Sequence, residues 1–246
     1  HDLTLFNRGN NPLSSNITQI RGDRFDKSDL EQLASTEWDV IADTSGRKLV
    51  DTQLIVEFAG KPKFRFLYVS SAGVYSDSGL WPLDENSPID PESRHIGKAQ
   101  TESWLAQEKI PYTSFRPTYI YGPGNYNPIE KWFFDRITFE KPIPLPLGGL
   151  FLTQLGHVSD LAEFMSRSLS FENAKNKIYN CTASKAITLK ALVDEFALVC
   201  GKEPSDISIR SFDPSILDPK ARKVFPLRIN HFQVDTRLIE ADLAWE

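Results

Sequence analysis

The chain has 246 residues, 40% hydrophobic and 25% charged, with a formal net charge of −5, a balance that supports a full buried core in a water-facing protein. The longest apolar runs are broken by Lys, Arg, Asp or Pro, which excludes the stretch of roughly 20 apolar residues that a membrane helix needs. The acidic balance argues against a general nucleic-acid coat, so any RNA contact is expected to be local.

The chain opens at His1 without Met and runs directly into strand-like Leu3–Phe6, which reads as a natural start lying further upstream. Further strands are predicted at Ile17–Arg21, Asp39–Ala42, Phe64–Ser70 and Tyr112–Arg116, from short β-rich runs. Helices are predicted between them at Ser28–Ala34, Lys48–Phe58 and residues 92–108. Such alternation predicts an α/β fold in which these five strands lie parallel and adjacent in one sheet. After Arg116 the texture changes. Pro117, Pro123, Pro128, Pro142, Pro144 and Pro146 punctuate a loop-rich region around one helix, Ile129–Phe139, and a second lobe is expected to begin there. Then come a helix at Asp160–Leu169, a strand at Ile178–Cys181, a helix at Leu189–Val199, a strand at Ile207–Ser211 and a last helix from about Asp235. Cys181 and Cys200 stand outside any CxxC pair and read as small buried hydrophobes of a reducing compartment.

Three segments carry chemistry. The run Phe66-Leu67-Tyr68-Val69-Ser70-Ser71-Ala72-Gly73 ends an apolar strand in two hydroxyls and a small-residue turn, and Phe115-Arg116-Pro117-Thr118-Tyr119 ends another strand. Leu155-Gly156-His157-Val158-Ser159-Asp160 opens a helix. Ligands of an open parallel sheet bind beyond the carboxyl ends of its strands, so Ser70 and Ser71 would face a site; a serine that merely caps a turn is the plainer reading.

In this order and at these separations the segments resemble the extended short-chain dehydrogenase/reductase family of sugar-nucleotide epimerases and dehydratases. The resemblance implies a Rossmann-like, doubly wound parallel sheet in residues 1–122, without its first strand and glycine loop, and a smaller C-terminal lobe in 123–246, with helix 160–169 returning to the first lobe. It also implies an NAD(P) site with Asp23 and Arg24 near adenine, Arg8 near the adenosine ribose, Pro117 and Thr118 beside nicotinamide, and Ser70 among the cofactor-binding residues. Ser71 matches the catalytic serine and Lys98 the active-site lysine. Two departures bear on function. The glycine fingerprint that holds a pyrophosphate does not occur, so dinucleotide binding by these residues is expected to be weak or absent. The family's tyrosine, four residues before the lysine on one helix face, is Arg94 here. Guanidinium stays protonated and has no acceptor lone pair, so it cannot take a proton from a substrate hydroxyl. Neighbouring His95 would project about 100° away on a helix and would not replace it. Arg94, His95 and Lys98 read either as a basic patch suited to phosphate or as a solvated helix end.

Asp90-Pro91-Glu92-Ser93-Arg94-His95-Ile96-Gly97-Lys98, the run Tyr119–Phe134, and Thr153-Gln154-Leu155-Gly156-His157-Val158 are similar to the chloroplast stem-loop-binding proteins and their cyanobacterial relatives, a divergent branch of the same superfamily. That resemblance implies a stem-loop RNA partner, a divalent-metal-dependent endoribonuclease activity drawing on Mg2+, a role in transcript stability or processing, assembly into homo-oligomers or ribonucleoprotein complexes, and a location in plastid stroma or cyanobacterial cytoplasm. Lys220, Arg222, Lys223 and Arg228 place four cations in nine residues, which suits either local phosphate contact or a soluble loop. Tyr126, Trp132, Phe133 and Phe134 offer rings for base stacking, though aromatics at helical spacing more often pack a core. Asp23, Asp43 and Asp84 are carboxylates near the expected site mouth, with no metal motif to choose among them. Two other readings stand beside RNA binding: a working epimerase or reductase with a substitute base, and a non-catalytic assembly factor.

Overall fold

The computed structural model describes residues 2–10, 15–125, 127–218 and 225–245. In chain order its elements are β1 (Thr4–Asn7), β2 (Thr18–Arg21), α1 (Lys27–Leu30), β3 (Val40–Asp43), α2 (Leu49–Ala59), β4 (Arg65–Val69), α3 (Ile96–Gln107), β5 (Tyr112–Pro117), β6 (Tyr119–Tyr121), α4 (Ile129–Thr138), β7 (Ile143–Pro146), β8 (Leu152–Thr153), β9 (Leu155–His157), α5 (Val158–Ser168), β10 (Lys177–Cys181), β11 (Ile187–Thr188), α6 (Leu189–Val199), β12 (Ile209–Phe212) and α7 (Arg237–Asp242). They fall into two compact units: His1–Ser76 with Pro88–Arg116 and Arg167–Tyr179, and Asp77–Ser87 with Pro117–Ser166 and Asn180–Glu246.

The first unit is an α/β assembly. β4 and β5 are buried along their whole length, as central parallel strands covered on both faces must be. Phe66 and Tyr68 of β4 pack with Val56 of α2, Leu105 of α3 and Ile110. α2 starts where it does because the Asp51 carboxylate accepts from the backbone N–H of Arg47 and Lys48 at 2.9 and 3.0 Å, satisfying donors that a helix start leaves open. β1 pairs parallel with β2, β3 with β4, and β4 with β5.

The five strands do not form one sheet, however. β1 and β2 make a two-stranded sheet, and β10, β5, β4 and β3 a four-stranded one. A groove of about 190 Å³ separates them, lined by Thr4, Leu5 and Phe6 on one side and Val40 to Asp43 on the other. In the strand order 3-2-1-4-5-6 of a doubly wound sheet, β1 and β3 hold the second and fourth places, and the groove holds that of the first. Peptide groups alternate sides along a strand. Thr18 N–H bonds the carbonyl of Leu3, Gly22 N–H that of Asn7, and Arg65 N–H that of Asp39; Thr4, Phe6, Val40 and Ala42 therefore turn their peptide groups towards the groove.

The second unit has its own core, where Ile129, Phe133 and Ile137 of α4 meet Ile143 and Leu145 of β7, Leu189 and Val193 of α6, and Phe225. Its strands pair as β6–β9 and β7–β12, both parallel, and β8–β11, antiparallel. The aromatics of α4 are structural: Phe133 is fully buried and stacks on Phe196 at 5.1 Å, Phe134 meets Phe196 edge-on, and the Arg136 guanidinium lies 3.9 Å from the Trp132 ring centroid. Tyr126 lies outside the described residues. No helix among the described residues is long and apolar enough to cross a membrane.

Candidate functional site

β4 delivers its last residues to a tight turn in the first unit. Ser70 N–H bonds the Phe115 carbonyl at 2.7 Å, while its Oγ is buried without a hydrogen-bond partner. The Ser71 hydroxyl accepts from Gly73 N–H at 3.0 Å, capping the short turn Ala72–Val74. Ser93 Oγ donates to the Gly73 carbonyl at 2.7 Å and accepts from His95 N–H at 3.1 Å, which clamps the approach to α3 against that turn. A Cβ on Gly73 would lie 2.6 Å from His95 Cδ2, so only glycine lets the imidazole lie there.

The clamp changes the expected geometry of Arg94. The sequence predicts a helix running from 92 with Arg94 on its face, but α3 begins at Ile96, with His95 as its N-cap at φ −102°. Arg94 is thus an exposed turn residue, and its Nε donates to the neighbouring His95 Nε2 at 2.9 Å. The rule that adjacent helical positions diverge does not apply before the helix starts, so the two side chains touch.

Lys98, on the first turn of α3, does point into the unit. Its ammonium donates to the carbonyls of Val69 at 2.6 Å and Gly46 at 3.0 Å, and lies 5.3 Å from the Tyr68 ring centroid. Tyr68 OH donates to the same Gly46 carbonyl at 3.1 Å. Burial pushes the Lys98 ammonium down to about 8, against the opposing pull of Asp43 and Glu102. The ε-carbon resonance of Lys98 is therefore expected to titrate near pH 8 rather than near the ordinary 10.5; a midpoint above 10 in a pH series of isotope-labelled protein would contradict the burial account. The folded state holds this proton more weakly than the unfolded chain does, so the Lys98 contribution to stability rises from pH 8 to 10.5.

Beside Lys98 sits a second charged group. Arg24 reaches Asp43 through both terminal nitrogens, at 2.8 and 3.0 Å, and also donates to Ser45 Oγ and the Asp51 carbonyl. Asp43 further accepts from Thr52 Oγ1 and Gly46 N–H. Burial raises the Asp43 carboxyl and the Arg24 guanidinium outweighs it, so the net direction is down. A Cβ on Gly46 would sit 2.6 Å from Asp43 Oδ2. The sequence reading missed this knot, whose one visible signal was the small polar turn Asp43-Thr44-Ser45-Gly46 after a strand.

The structure brings Ser70, Ser71 and Lys98 to one end of β4 and leaves Arg94 on the surface. Asp23 caps its own turn through Phe25 N–H, Arg24 is committed to Asp43, and Arg8 is exposed. Pro117 is the buried last residue of β5. In the second unit, Thr118 Oγ1 is held by the Gln154 carbonyl and Thr182 Oγ1 at 2.9 and 2.6 Å. Arg24, Asp23 and Thr118 thus carry hydrogen bonds within the protein, while the Ser70 hydroxyl has no partner among the described residues. The three candidate metal carboxylates are likewise occupied: Asp84 accepts from Asn86 N–H and Ser87 Oγ, and no cluster of His, Cys, Asp and Glu suited to a metal occurs among the described residues. Arg228 N–H donates to Tyr119 OH at 2.7 Å, and its guanidinium lies 4.1 Å from the Phe232 ring centroid. Lys220, Arg222 and Lys223 lie outside the described residues.

A parallel sheet wound by helices, with a serine turn and a half-buried lysine at the strand ends, defines a Rossmann-type scaffold of the dehydrogenase class. The model of the NAD dependent epimerase/dehydratase family matches residues 32–182. The chain is 38% identical over 263 aligned residues, covering all of it and 68% of the relative, to the chloroplast stem-loop binding protein of 41 kDa b from Arabidopsis thaliana. Solved structures share the fold at low identity. A UDP-glucose 4-epimerase of Thermotoga maritima has a TM-score of 0.79 at 15% identity, over 100% of this chain and 85% of that one. The NADPH-complexed RMD of Pseudomonas aeruginosa has 0.75 at 16%, over 99% and 93%. The protein belongs to the NAD dependent epimerase/dehydratase family, in its divergent branch of chloroplast stem-loop binding proteins.

Proposed function

We propose that this chain binds stem-loop RNA, on a dehydrogenase-type scaffold whose hydride chemistry is lost. The similarity to a relative named for stem-loop binding supports the reading. The structural observation that carries it is the occupied state of the old proton-transfer site. Lys98 is tied to two carbonyls, the Ser71 hydroxyl caps its own turn, and Arg94 lies on the surface against His95. That relative's name also says chloroplastic, which supports plastid stroma as the location. The RNA contacts are assigned to Lys220, Arg222, Lys223 and Arg228, on the sequence argument of four cations in nine residues.

Each phosphate contact releases roughly one counterion, so a lost contact flattens the log-affinity versus log-salt slope by about one unit. Replacing Lys220, Arg222 and Lys223 by alanine is expected to weaken binding of a stem-loop RNA strongly at moderate salt and to flatten that slope by up to about 3 units. A titration at several salt concentrations decides it, and an unaltered slope removes this segment from the RNA site. The finer part of the proposal, magnesium-dependent cleavage and assembly into larger complexes, rests on the family resemblance. Incubating a labelled stem-loop with the protein, with and without a chelator, tests the cleavage: intact RNA in both arms leaves a binding protein.

A further inference from the structure

At the opposite end of β4 from Ser70, about 17 Å away at roughly 3.3 Å per residue, lies a second cavity of about 560 Å³. Its lining includes four cations, Lys63, Arg65, Lys109 and Lys175, and one acid, Glu172. Arg65 is the decisive member. Its side chain has no solvent exposure, yet among the described residues only Nη1 has a hydrogen-bond partner, Thr113 Oγ1 at 3.0 Å. Nε and Nη2 have none. A buried charge is costly unless paired and hydrogen-bonded, and the nearest carboxylate is a poor partner. Glu172 Oε2 stands 3.7 Å from Nη2, beyond hydrogen-bond range, and its side chain is 73% exposed, with Oε1 drawn to Lys175 at 3.2 Å.

Nε and Nη2 share one edge of the guanidinium, the edge that presents two parallel N–H groups to two oxygens of one anion. From the unsatisfied edge of Arg65 and the cationic excess around it, we propose that this cavity binds a phosphate-class oxyanion, received by Arg65 and neutralised by Lys109 and Lys175. Glu172 is then a placeholder, an exposed carboxylate standing near the ligand's position without its bonds. Lys63 contributes less, because Glu37 already holds it at 2.6 Å. A phosphodiester of bound RNA and a free phosphate or phosphomonoester both present this chemistry.

The test uses the full chain with two probes. In the first arm inorganic phosphate is titrated calorimetrically. Glu172→Gln, which removes the competing charge, is expected to tighten binding about 5-fold, and the double variant Lys109→Ala/Lys175→Ala to weaken it about 10-fold, the scale of a lost charge-assisted contact. Both changes are at the cavity rim and are expected to leave the melting temperature near that of the parent; Arg65→Lys, which keeps the charge but not the two-pronged edge, should weaken binding as well. In the second arm a stem-loop RNA is titrated against the same variants. Phosphate binding with parallel changes in RNA affinity assigns the site to the RNA backbone. Phosphate binding with unchanged RNA affinity assigns it to a free phosphate compound. No phosphate binding, or binding indifferent to Glu172, Lys109 and Lys175, overturns the proposal. Parent protein that binds phosphate but no RNA refutes the function proposed above and leaves this site standing.

Discussion

Replacing Arg116 with methionine is expected to lower the unfolding free energy by about 3–5 kcal/mol, the cost of stranding one member of a buried ion pair. Arg116 and Glu102 are 4% and 2% exposed, joined through Nη2–Oε2 at 2.6 Å and Nε–Oε1 at 3.1 Å. Ser114 Oγ adds a third hydrogen bond to Glu102 at 2.8 Å, and the guanidinium lies 4.9 Å from the Tyr75 ring centroid. With Arg116 gone, the Glu102 carboxylate stays buried between β5 and α3 with one neutral donor. A well-packed apolar pair is often no worse than the ion pair it replaces, so Arg116→Met/Glu102→Leu is expected to recover more than half of the loss. Urea unfolding of the parent, both single variants and the double variant measures the coupling. A single variant that loses under about 1 kcal/mol would show that water already reaches the pair.

The second large effect is on chemistry. The protein is expected to show no turnover of nicotinamide with nucleotide sugars. A positioned general base contributes about 10²- to 10⁴-fold to such a step, and none is free here. Arg94 has no lone pair to accept a proton, and Lys98, lowered only to about 8, is mostly an ammonium without a lone pair below that pH, held on the Val69 and Gly46 carbonyls. Arg94→Tyr alone is expected to restore no more than a trace, since position 94 precedes α3 instead of sharing a face with Lys98. Robust hydride transfer by the unmodified protein, followed by nicotinamide absorbance, sinks this account.

Much of this architecture was legible beforehand. β4 and β5 were visible as apolar runs because they are buried on both faces, and α2 was expected within a residue of its observed bounds. Ser70, Ser71 and Lys98 do meet at one strand end. What escaped was set by contacts distant in sequence. Nothing local shows that Arg24 would close on Asp43, 19 residues on, or that the Ser93 hydroxyl would delay α3 to Ile96. Pro144 and Pro146 read as loop punctuation, yet they lie in β7. Ile143 N–H bonds the Ser208 carbonyl, so Ile143 and Leu145 face β12, while the prolines turn their missing N–H to the side where no ladder bond is made.

Among the described residues the peptide groups of Thr4, Phe6, Val40 and Ala42 are open on two facing strand edges, with the groove between them. A β-strand laid in that groove would find ladder partners along both of its sides at once, which a single sheet edge cannot offer.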